Sequence, residues 1–143
     1  MKKAKIFWFT GMSGSGKSTL SSYAFEELEK QGYRTLILDG DVIRDSYNIK
    51  IGFGRKDVKK NNLNVALICK EERSKFDVIL VPIICPIDSV RRCLMEKLSP
   101  NCFLVYIFAS IDSLRGRDPK GLYKKADKNE LTDLIGYSKS NTY

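Results

Sequence analysis

Four short apolar runs alternate along the chain with longer stretches in which apolar residues recur at helical spacing. The apolar runs predict β-strands at residues 6–10, 35–38, 78–83 and 103–108. Each run is continuous in apolar residues, as expected of strands that helices cover on both faces. Because strands alternate with helices, the pattern is typical of βαβ units and a parallel sheet. We expect one three-layer α/β domain over residues 1–143, with helices on both faces of the sheet.

Three helices are predicted between these strands. The first begins at the loop that ends in Lys17 and Ser18 and has Gly32 as its stop signal. Its apolar positions are spaced by four residues and are expected to pack on the sheet. These positions are Leu20, Ala24 and Leu28. The second helix is predicted over residues 57–74 and the third over residues 88–98, each with one apolar stripe that faces the core.

The composition is that of an ordinary globular domain. The 143 residues are 43% hydrophobic and 29% charged, which excludes a disordered chain. The longest apolar run, residues 78–87, is far shorter than the roughly 20 residues that cross a bilayer. The basic N-terminus runs into a glycine-rich loop without a signal-peptide cleavage site. We therefore expect a cytoplasmic protein that has no membrane partner.

The cysteines and the lack of histidine narrow the chemistry. The cysteines show no C-x-x-C spacing and are too sparse for a disulfide framework, so we expect reduced and mostly buried thiols. They are Cys69, Cys85, Cys93 and Cys102. A sequence with no histidine has neither histidine acid–base chemistry nor histidine metal ligands. The net charge of +8 favours an anionic partner, but the basic segments lack interleaved aromatic residues, so we expect no nucleic-acid partner.

A glycine-rich loop carries the strongest chemical signal. Residues 11–18 match the phosphate-binding pattern G-x-x-x-x-G-K-[ST] in full, directly after a predicted strand and before a predicted helix. In that context backbone N–H groups and the helix N-terminus surround phosphates, Lys17 reaches the β- and γ-phosphates, and the Ser18 hydroxyl binds Mg²⁺. The predicted nucleotide-binding residues are Gly11, Ser13, Gly14, Ser15, Gly16, Lys17, Ser18 and Thr19. The alternative, a glycine-rich turn without a ligand, does not explain this context.

The class of phosphate-loop protein follows from what surrounds the loop. A regulatory GTPase would need N-K-x-D, which the sequence lacks. The pattern D-x-x-G occurs at residues 118–121, but about ten residues beyond the last predicted strand and among cations, which is more typical of a lid over phosphates. Asp39 and Asp41 follow the second predicted strand, so their carboxylates emerge at the sheet edge where α/β folds bind ligands. Paired acids there suit Mg²⁺ and hydroxyl activation, although either acid alone could cap a helix.

These segments together resemble the adenylylsulfate (APS) kinases, a family of small P-loop kinases. The resemblance runs from residue 7 to residue 143. Its most specific parts are residues 8–19, residues 38–41 with Arg44 and Asn48, Gly52 and Phe53, and residues 117–126. The resemblance implies a P-loop kinase fold and transfer of the ATP γ-phosphate, with Mg²⁺, to the 3′-hydroxyl of a nucleotide that carries a mixed anhydride at its 5′ end.

The resemblance also implies roles for individual residues. Lys17 and Asp41 would be catalytic, with Asp41 activating the acceptor hydroxyl. Arg44 would hold the acceptor's phosphate, Phe53 would stack on its base, and Lys120 would close over it. The implied acceptor site consists of Asp39, Asp41, Arg44, Asn48, Phe53, Asn61, Ile84, Arg117 and Lys120. Members of the family often pair, so a homodimer is a further expectation.

The sequence departs from the family pattern around the acceptor. The family usually reads D-R-x-E-N-I-R-R where residues 57–64 stand here; Asn61 matches, but Val58, Leu63 and Asn64 replace arginines. Neither valine, leucine nor asparagine reproduces the bidentate fork with which arginine holds an anion. The family's F-I-S-P also becomes I-I-C-P, with Cys85 in place of the serine. Both changes predict an altered acceptor pocket.

Three functions remain open on these observations. The hypothesis we draw from the lost arginines is a kinase for cytidine diphosphoramidate, since the sequence also resembles the kinases that act on this compound in bacterial capsule biosynthesis. The alternative is an adenylylsulfate kinase of sulfate activation. A non-catalytic nucleotide-binding module is a remoter alternative, because it would be expected to lose Lys17 or one of the two aspartates, and all three are present.

The end of the sequence resembles a segment that lies before the family's last strand and helix. Residues 130–137 and 141–143 carry this resemblance. We therefore expect a truncated form in which the domain lacks its C-terminal strand and helix.

Overall fold

Strands and helices alternate through most of the molecule. The computed structural model describes residues 3–40, 43, 54–131, 134, 135 and 137. The strands are β1 (Lys5–Thr10), β2 (Thr35–Ile37), β3 (Val78–Pro82) and β4 (Cys102–Tyr106). The helices in the described ranges are α1 (Lys17–Lys30), α2 (Arg55–Glu72), α3 (Asp88–Leu98), α4 (Ile111–Arg117) and α5 (Leu122–Asp127). The predicted strands and the first three predicted helices are confirmed to within two residues at each end.

The four strands form one parallel sheet in the order β2-β3-β1-β4. Ile6 in the central strand β1 is in register with Ile79 of β3 and with Cys102 of β4. All four carboxyl ends therefore lie at one edge of the sheet, where open α/β folds bind ligands. The predicted parallel α/β architecture is confirmed.

Helices pack on both faces of the sheet because side chains alternate along β1. Trp8 faces a core that contains Val65 of α2 and Leu94 of α3. Phe9, one residue further, faces the opposite side and packs with β3 residues and with Leu28 of α1. This alternation is the two-residue period of a strand, and it confirms the three layers that the sequence predicts.

Two positions differ from the predicted packing. Leu20 was expected to pack on the sheet, but its side chain is 43% exposed and faces a cavity beside the glycine-rich loop. Strand β4 was expected to be covered on both faces and to reach residue 108. It ends at Tyr106, which is 58% exposed. No strand lies beyond β4 within the described ranges, so its side chains are less covered than those of β1 and β3.

The segment after β4 folds as two short helices around a second small core, where the sequence predicts only a basic loop. Leu114 of α4 and Tyr123 of α5 are fully buried, together with Leu134, and Met12 of the glycine-rich loop packs against them. The helices escape prediction because each spans only two turns and carries few apolar positions between its cations. Their placement fastens the segment to the glycine-rich loop.

The thiols behave as the sequence predicts. All four cysteines are free, and Cys69, Cys85 and Cys102 are buried. Burial raises the pKa of the Cys69 and Cys85 thiols to about 12 and that of Cys102 to about 11. Among the helices that the structure describes, none has the length and apolar character needed to span a membrane.

Candidate nucleotide and acceptor site

A cavity of about 1010 Å³ opens at the carboxyl edge of the sheet. Four segments enclose most of it. These are residues 13–20, Asp39 with Gly40, residues 82–84, and the turn that contains Arg117, Pro119 and Lys120. Elements far apart in sequence thus place their chemistry around one space, as the topology of a parallel sheet requires.

Most of the predicted site residues meet at this cavity. The lining includes Ser13, Gly14, Ser15, Gly16, Lys17, Ser18, Thr19, Asp39, Asn61, Ile84, Arg117 and Lys120. Gly11 is buried at the base of the loop and does not line the cavity. The predicted residues Asp41, Arg44, Asn48 and Phe53 lie outside the described residues.

Two glycines allow the loop to take its shape. A Cβ on Gly11 would lie 2.4 Å from the carbonyl oxygen of Ile107, so only glycine lets β1 pass this close to the segment after β4. Gly16 is the N-cap of α1 and has φ of 108°, a left-handed conformation that favours glycine. The motif therefore needs glycine at position 11 because the segment after β4 passes close by, and at position 16 because the backbone is left-handed there.

The loop is rich in donors and fits a polyphosphate. The Lys17 Nζ donates to the carbonyl oxygens of Gly11 and Met12, each at 2.8 Å, which keeps the ammonium over the loop. The Ser15 hydroxyl is buried, and its oxygen has no partner within the described part of the chain. A buried hydroxyl without a partner is costly, and a phosphate oxygen would accept a hydrogen bond from it. The exposed Ser18 hydroxyl supplies an oxygen of the kind that Mg²⁺ prefers.

The segment after β3 is held against the sheet by three side chains. Trp8 Nε1 donates to the Ile83 carbonyl oxygen at 2.8 Å, and Asn62 Nδ2 donates to that of Ile84 at 2.8 Å. The Cys85 N–H donates to Thr10 Oγ1 at 3.1 Å. These bonds fix Ile83 and Ile84 as one wall of the cavity. The sequence does not single out Trp8, Thr10 and Asn62 as residues that hold this wall. The one signal is that each places a polar atom within an apolar segment or on the apolar side of a helix.

Cys85 takes no direct part in the site. Its side chain is fully buried, and burial raises the pKa of its thiol to about 12. A neutral, enclosed thiol is a poor nucleophile. The replacement of the family's serine by this cysteine therefore leaves a group that packs and does not react.

The positions that replace family arginines diverge in the structure. Val58 is 2% exposed and lines the cavity beside Asn61, so the cavity wall is apolar at this point. Leu63 instead packs against the main core. Of these two replacements, Val58 is the one that changes the surface a substrate would meet.

Further apolar residues, which the sequence does not mark as site residues, also line the cavity. Tyr23 lies one turn after Leu20 on the same face of α1, and both are exposed toward the cavity. Ile107, after β4, and the pair Leu134 and Ile135 also line it. Exposed aromatic and aliphatic side chains on a cavity wall suit the binding of a planar base. The sequence does not predict this role, because an apolar stripe on a helix does not show which of its residues face a cavity.

Known proteins with similar sequences include adenylyl-sulfate kinases from several bacteria. The sequence profile of the family described as adenylylsulphate kinase matches residues 3–143. A probable adenylyl-sulfate kinase of Bacillus subtilis is 38% identical over 135 residues, which cover 94% of this chain and 68% of that protein. Its counterpart in Halalkalibacterium halodurans is 37% identical over 135 residues and covers 94% and 65%. The chain thus spans about two thirds of the length of these relatives.

A solved structure gives the same result. The APS kinase of Mycobacterium tuberculosis in complex with AMPPNP and APS superposes with a TM-score of 0.89 at 31% identity, covering 97% of this chain and 82% of that one. Its fold is that of a P-loop kinase, with the parallel sheet and flanking helices found here. From its profile, its relatives and its fold, the chain belongs to the adenylylsulfate kinase family.

Proposed function

We propose that the chain is an ATP-dependent kinase that phosphorylates the 3′-hydroxyl of adenylylsulfate. The observation that carries the proposal is a cavity of about 1010 Å³ that the phosphate loop lines together with Asp39, Asn61 and Lys120. Donor and acceptor nucleotides must lie side by side for direct phosphoryl transfer, and this cavity has room for both. The relatives that match most of the chain are kinases of this substrate by name.

The phosphate loop would bind the ATP triphosphate. Lys17 already lies over the loop, with its ammonium bonded to two carbonyl oxygens, and would hold the β- and γ-phosphates. Ser18 would hold Mg²⁺ through its hydroxyl, and the ion would supply positive charge that offsets the negative charge of the triphosphate. The buried Ser15 hydroxyl would find its acceptor on the same phosphates.

The acceptor would lie between the loop and the wall formed by Ile83 and Ile84. Following the resemblance, Asp41 would accept the proton of the 3′-hydroxyl as that oxygen attacks the γ-phosphorus. Arg117 and Lys120 are exposed at the cavity rim, where their charges would offset the negative charge spread over the transferring phosphoryl group. Because positioning and charge supply most of this catalysis, no covalent enzyme intermediate is required.

Cytidine diphosphoramidate is a second candidate acceptor. The observation in its favour is Val58, which gives the cavity an apolar wall where the family carries an arginine. An acceptor with a phosphoramidate in place of a sulfate would meet that wall with a different terminal group. The sequence alone favoured this acceptor, but the named relatives are adenylyl-sulfate kinases, so adenylylsulfate is the primary proposal. Pairing of two copies remains a prediction from the resemblance.

The experiment is a panel of acceptors with ATP and Mg²⁺. ADP release is followed with adenylylsulfate, cytidine diphosphoramidate, CDP and AMP, and Lys17→Ala serves as the inactive control. We expect turnover with adenylylsulfate well above that with AMP. Turnover with the cytidine compound alone would assign the second acceptor, and no turnover with any member would contradict the kinase proposal.

The valine can be tested within the same panel. Val58→Arg restores the family's residue at the cavity wall, and its melting temperature must stay near that of the wild type because Val58 is 2% exposed. Asn64→Arg is the matched control, because it restores the neighbouring family residue at a half-buried position. If Val58 sets the acceptor, only Val58→Arg should change the ratio of adenylylsulfate to cytidine turnover.

A further inference from the structure

We propose that Tyr123 is a positioning residue, whose hydroxyl holds the Ser13–Gly14 peptide of the phosphate loop in the orientation that binds triphosphate. The inference rests on the phosphate site of the proposed function and adds to it a residue outside the loop. Tyr123 lies in α5, 110 residues along the chain from Ser13, and its hydroxyl donates to the Ser13 carbonyl oxygen at 2.7 Å.

The ring approaches the loop from behind. Tyr123 is 1% exposed and is packed among Leu114, Leu122 and Leu134. Ser13 and Gly14 line the cavity, whereas Tyr123 does not. The hydroxyl therefore contacts the loop from its protein side and leaves the ligand side open.

The peptide geometry gives this contact its consequence. In a trans peptide the C=O and the following N–H point in opposite directions. With its C=O turned toward Tyr123, the Ser13–Gly14 peptide directs the Gly14 N–H away from α5 and toward the cavity. Backbone N–H groups aimed into such a concavity are what bind phosphate oxygens.

The neighbouring carbonyl oxygens are held in the same way. Lys17 Nζ donates to the carbonyl oxygens of Gly11 and Met12, and Arg117 Nη1 donates to that of Gly14 at 3.4 Å. With Tyr123 on Ser13, every carbonyl oxygen from residue 11 to residue 14 accepts a side-chain hydrogen bond. Tyr123 is the neutral and buried member of this set, so its bond is the least exchangeable with water.

The hydroxyl keeps its proton at ordinary pH. Burial, followed by the nearby Asp118 and the Tyr137 ring, raises the pKa of Tyr123 to about 12. It therefore remains a donor to the Ser13 carbonyl oxygen throughout the range in which a kinase is assayed.

Tyr123→Phe isolates the hydroxyl, because the ring and its packing stay. Tyr137→Phe is the matched control: Tyr137 packs edge-on against Tyr123 with ring centroids 5.2 Å apart, but its hydroxyl donates to Asp127 and not to the loop. Titration calorimetry with Mg²⁺–ATP and with inorganic tripolyphosphate measures the phosphate site with and without a base. Melting temperatures without ligand report the fold.

We expect Tyr123→Phe to bind both ligands about tenfold more weakly, the effect of one buried hydrogen bond, while Tyr137→Phe binds as the wild type does. The KM for ATP should rise by the same factor, and kcat at saturating ATP should change by less than about twofold. Replacing Tyr123 by 4-aminophenylalanine restores a donor on the same ring and should recover most of the affinity.

Several results would overturn the inference. They are wild-type tripolyphosphate affinity in Tyr123→Phe, an equal loss in both phenylalanine variants, no recovery with 4-aminophenylalanine, or a Tyr123→Phe chain that does not fold, since the hydroxyl would then serve stability and not orientation. These outcomes are separable from failure of the proposed function. A wild type that binds tripolyphosphate but phosphorylates no acceptor would contradict the kinase proposal alone.

Discussion

At the scale of single residues, Gly11 is the position where the structure leaves least freedom. A Cβ there would lie 2.4 Å from the backbone carbonyl oxygen of Ile107, and backbone cannot move aside as a flexible side chain can. Gly11→Ala should lower the free energy of unfolding by more than about 2 kcal/mol and weaken ATP binding. Gly116→Ala is the control, because nothing lies within 4 Å of its added Cβ. Urea unfolding that gives equal values for both variants would contradict this view of the loop.

Lys17 carries the charge of the loop. Its ammonium donates to two main-chain oxygens of the loop, and its side chain is not one of the residues that form the hydrophobic core. Lys17→Ala should lower turnover by at least about a hundredfold with little change in melting temperature. Lys30→Ala, which loses an exposed ion pair with Glu27, should behave as the wild type. Unchanged turnover in Lys17→Ala would contradict the assignment of the phosphate site.

At the scale of elements, Asp118 fixes the start of α5. Its two carboxylate oxygens accept from the N–H groups of Tyr123 and Lys124, each at 3.0 Å. Asp118→Ala should lower the free energy of unfolding by about 1 kcal/mol, as for other lost helix caps. The control is Asp112→Ala at the exposed start of α4. A larger loss in the control variant, measured by urea unfolding, would show that the two acceptors matter little.

The sequence predicts elements well where one physical signal dominates. The strands β1 and β3 are continuous apolar runs that helices cover. The phosphate loop has a motif in which the backbone itself requires glycine at fixed positions. The helices α4 and α5 are too short and too basic for periodicity to show them. Leu20 fits the apolar stripe of α1 yet faces the cavity, because a stripe does not show where the sheet ends beneath it.

In the candidate site, too, the residues with a local sequence signal could be predicted and those without one could not. Loop residues could be placed from the motif because their spacing is local. The contacts of Trp8, Asn62 and Tyr123 with the cavity walls join residues that are 22 to 110 positions apart. No spacing in the sequence encodes such contacts, since they depend on how the fold brings β1, α2 and α5 to the segment after β3 and to the phosphate loop.

For the molecule as a whole, the buried thiols and the buried Tyr123 phenol make the free energy of unfolding depend on pH in the alkaline range. Burial raises the pKa of the Cys69 and Cys85 thiols from 9.0 to about 12, and that of Tyr123 from 10.0 to about 12. The unfolded chain loses these protons first, so their contribution is fully present below about pH 9 and declines as pH rises toward 12. Each group adds up to about 1.4 kcal/mol per pH unit to that decline.

Urea unfolding between pH 7 and pH 11 measures this dependence. The free energy of unfolding should change little up to about pH 8.5 and then fall. Cys69→Ala should fall less steeply, because one buried thiol is gone. A constant value up to pH 11 would contradict the burial of these groups.

The central claim is transfer of a phosphoryl group to a nucleotide 3′-hydroxyl. The most direct test incubates the protein with Mg²⁺, adenylylsulfate and ATP labelled in its γ-phosphate, then treats the nucleotide product with a 3′-nucleotidase. We expect label in a new nucleotide, and the 3′-nucleotidase should release all of that label. Label found only as inorganic phosphate, or retained by the nucleotide after treatment, would contradict the account.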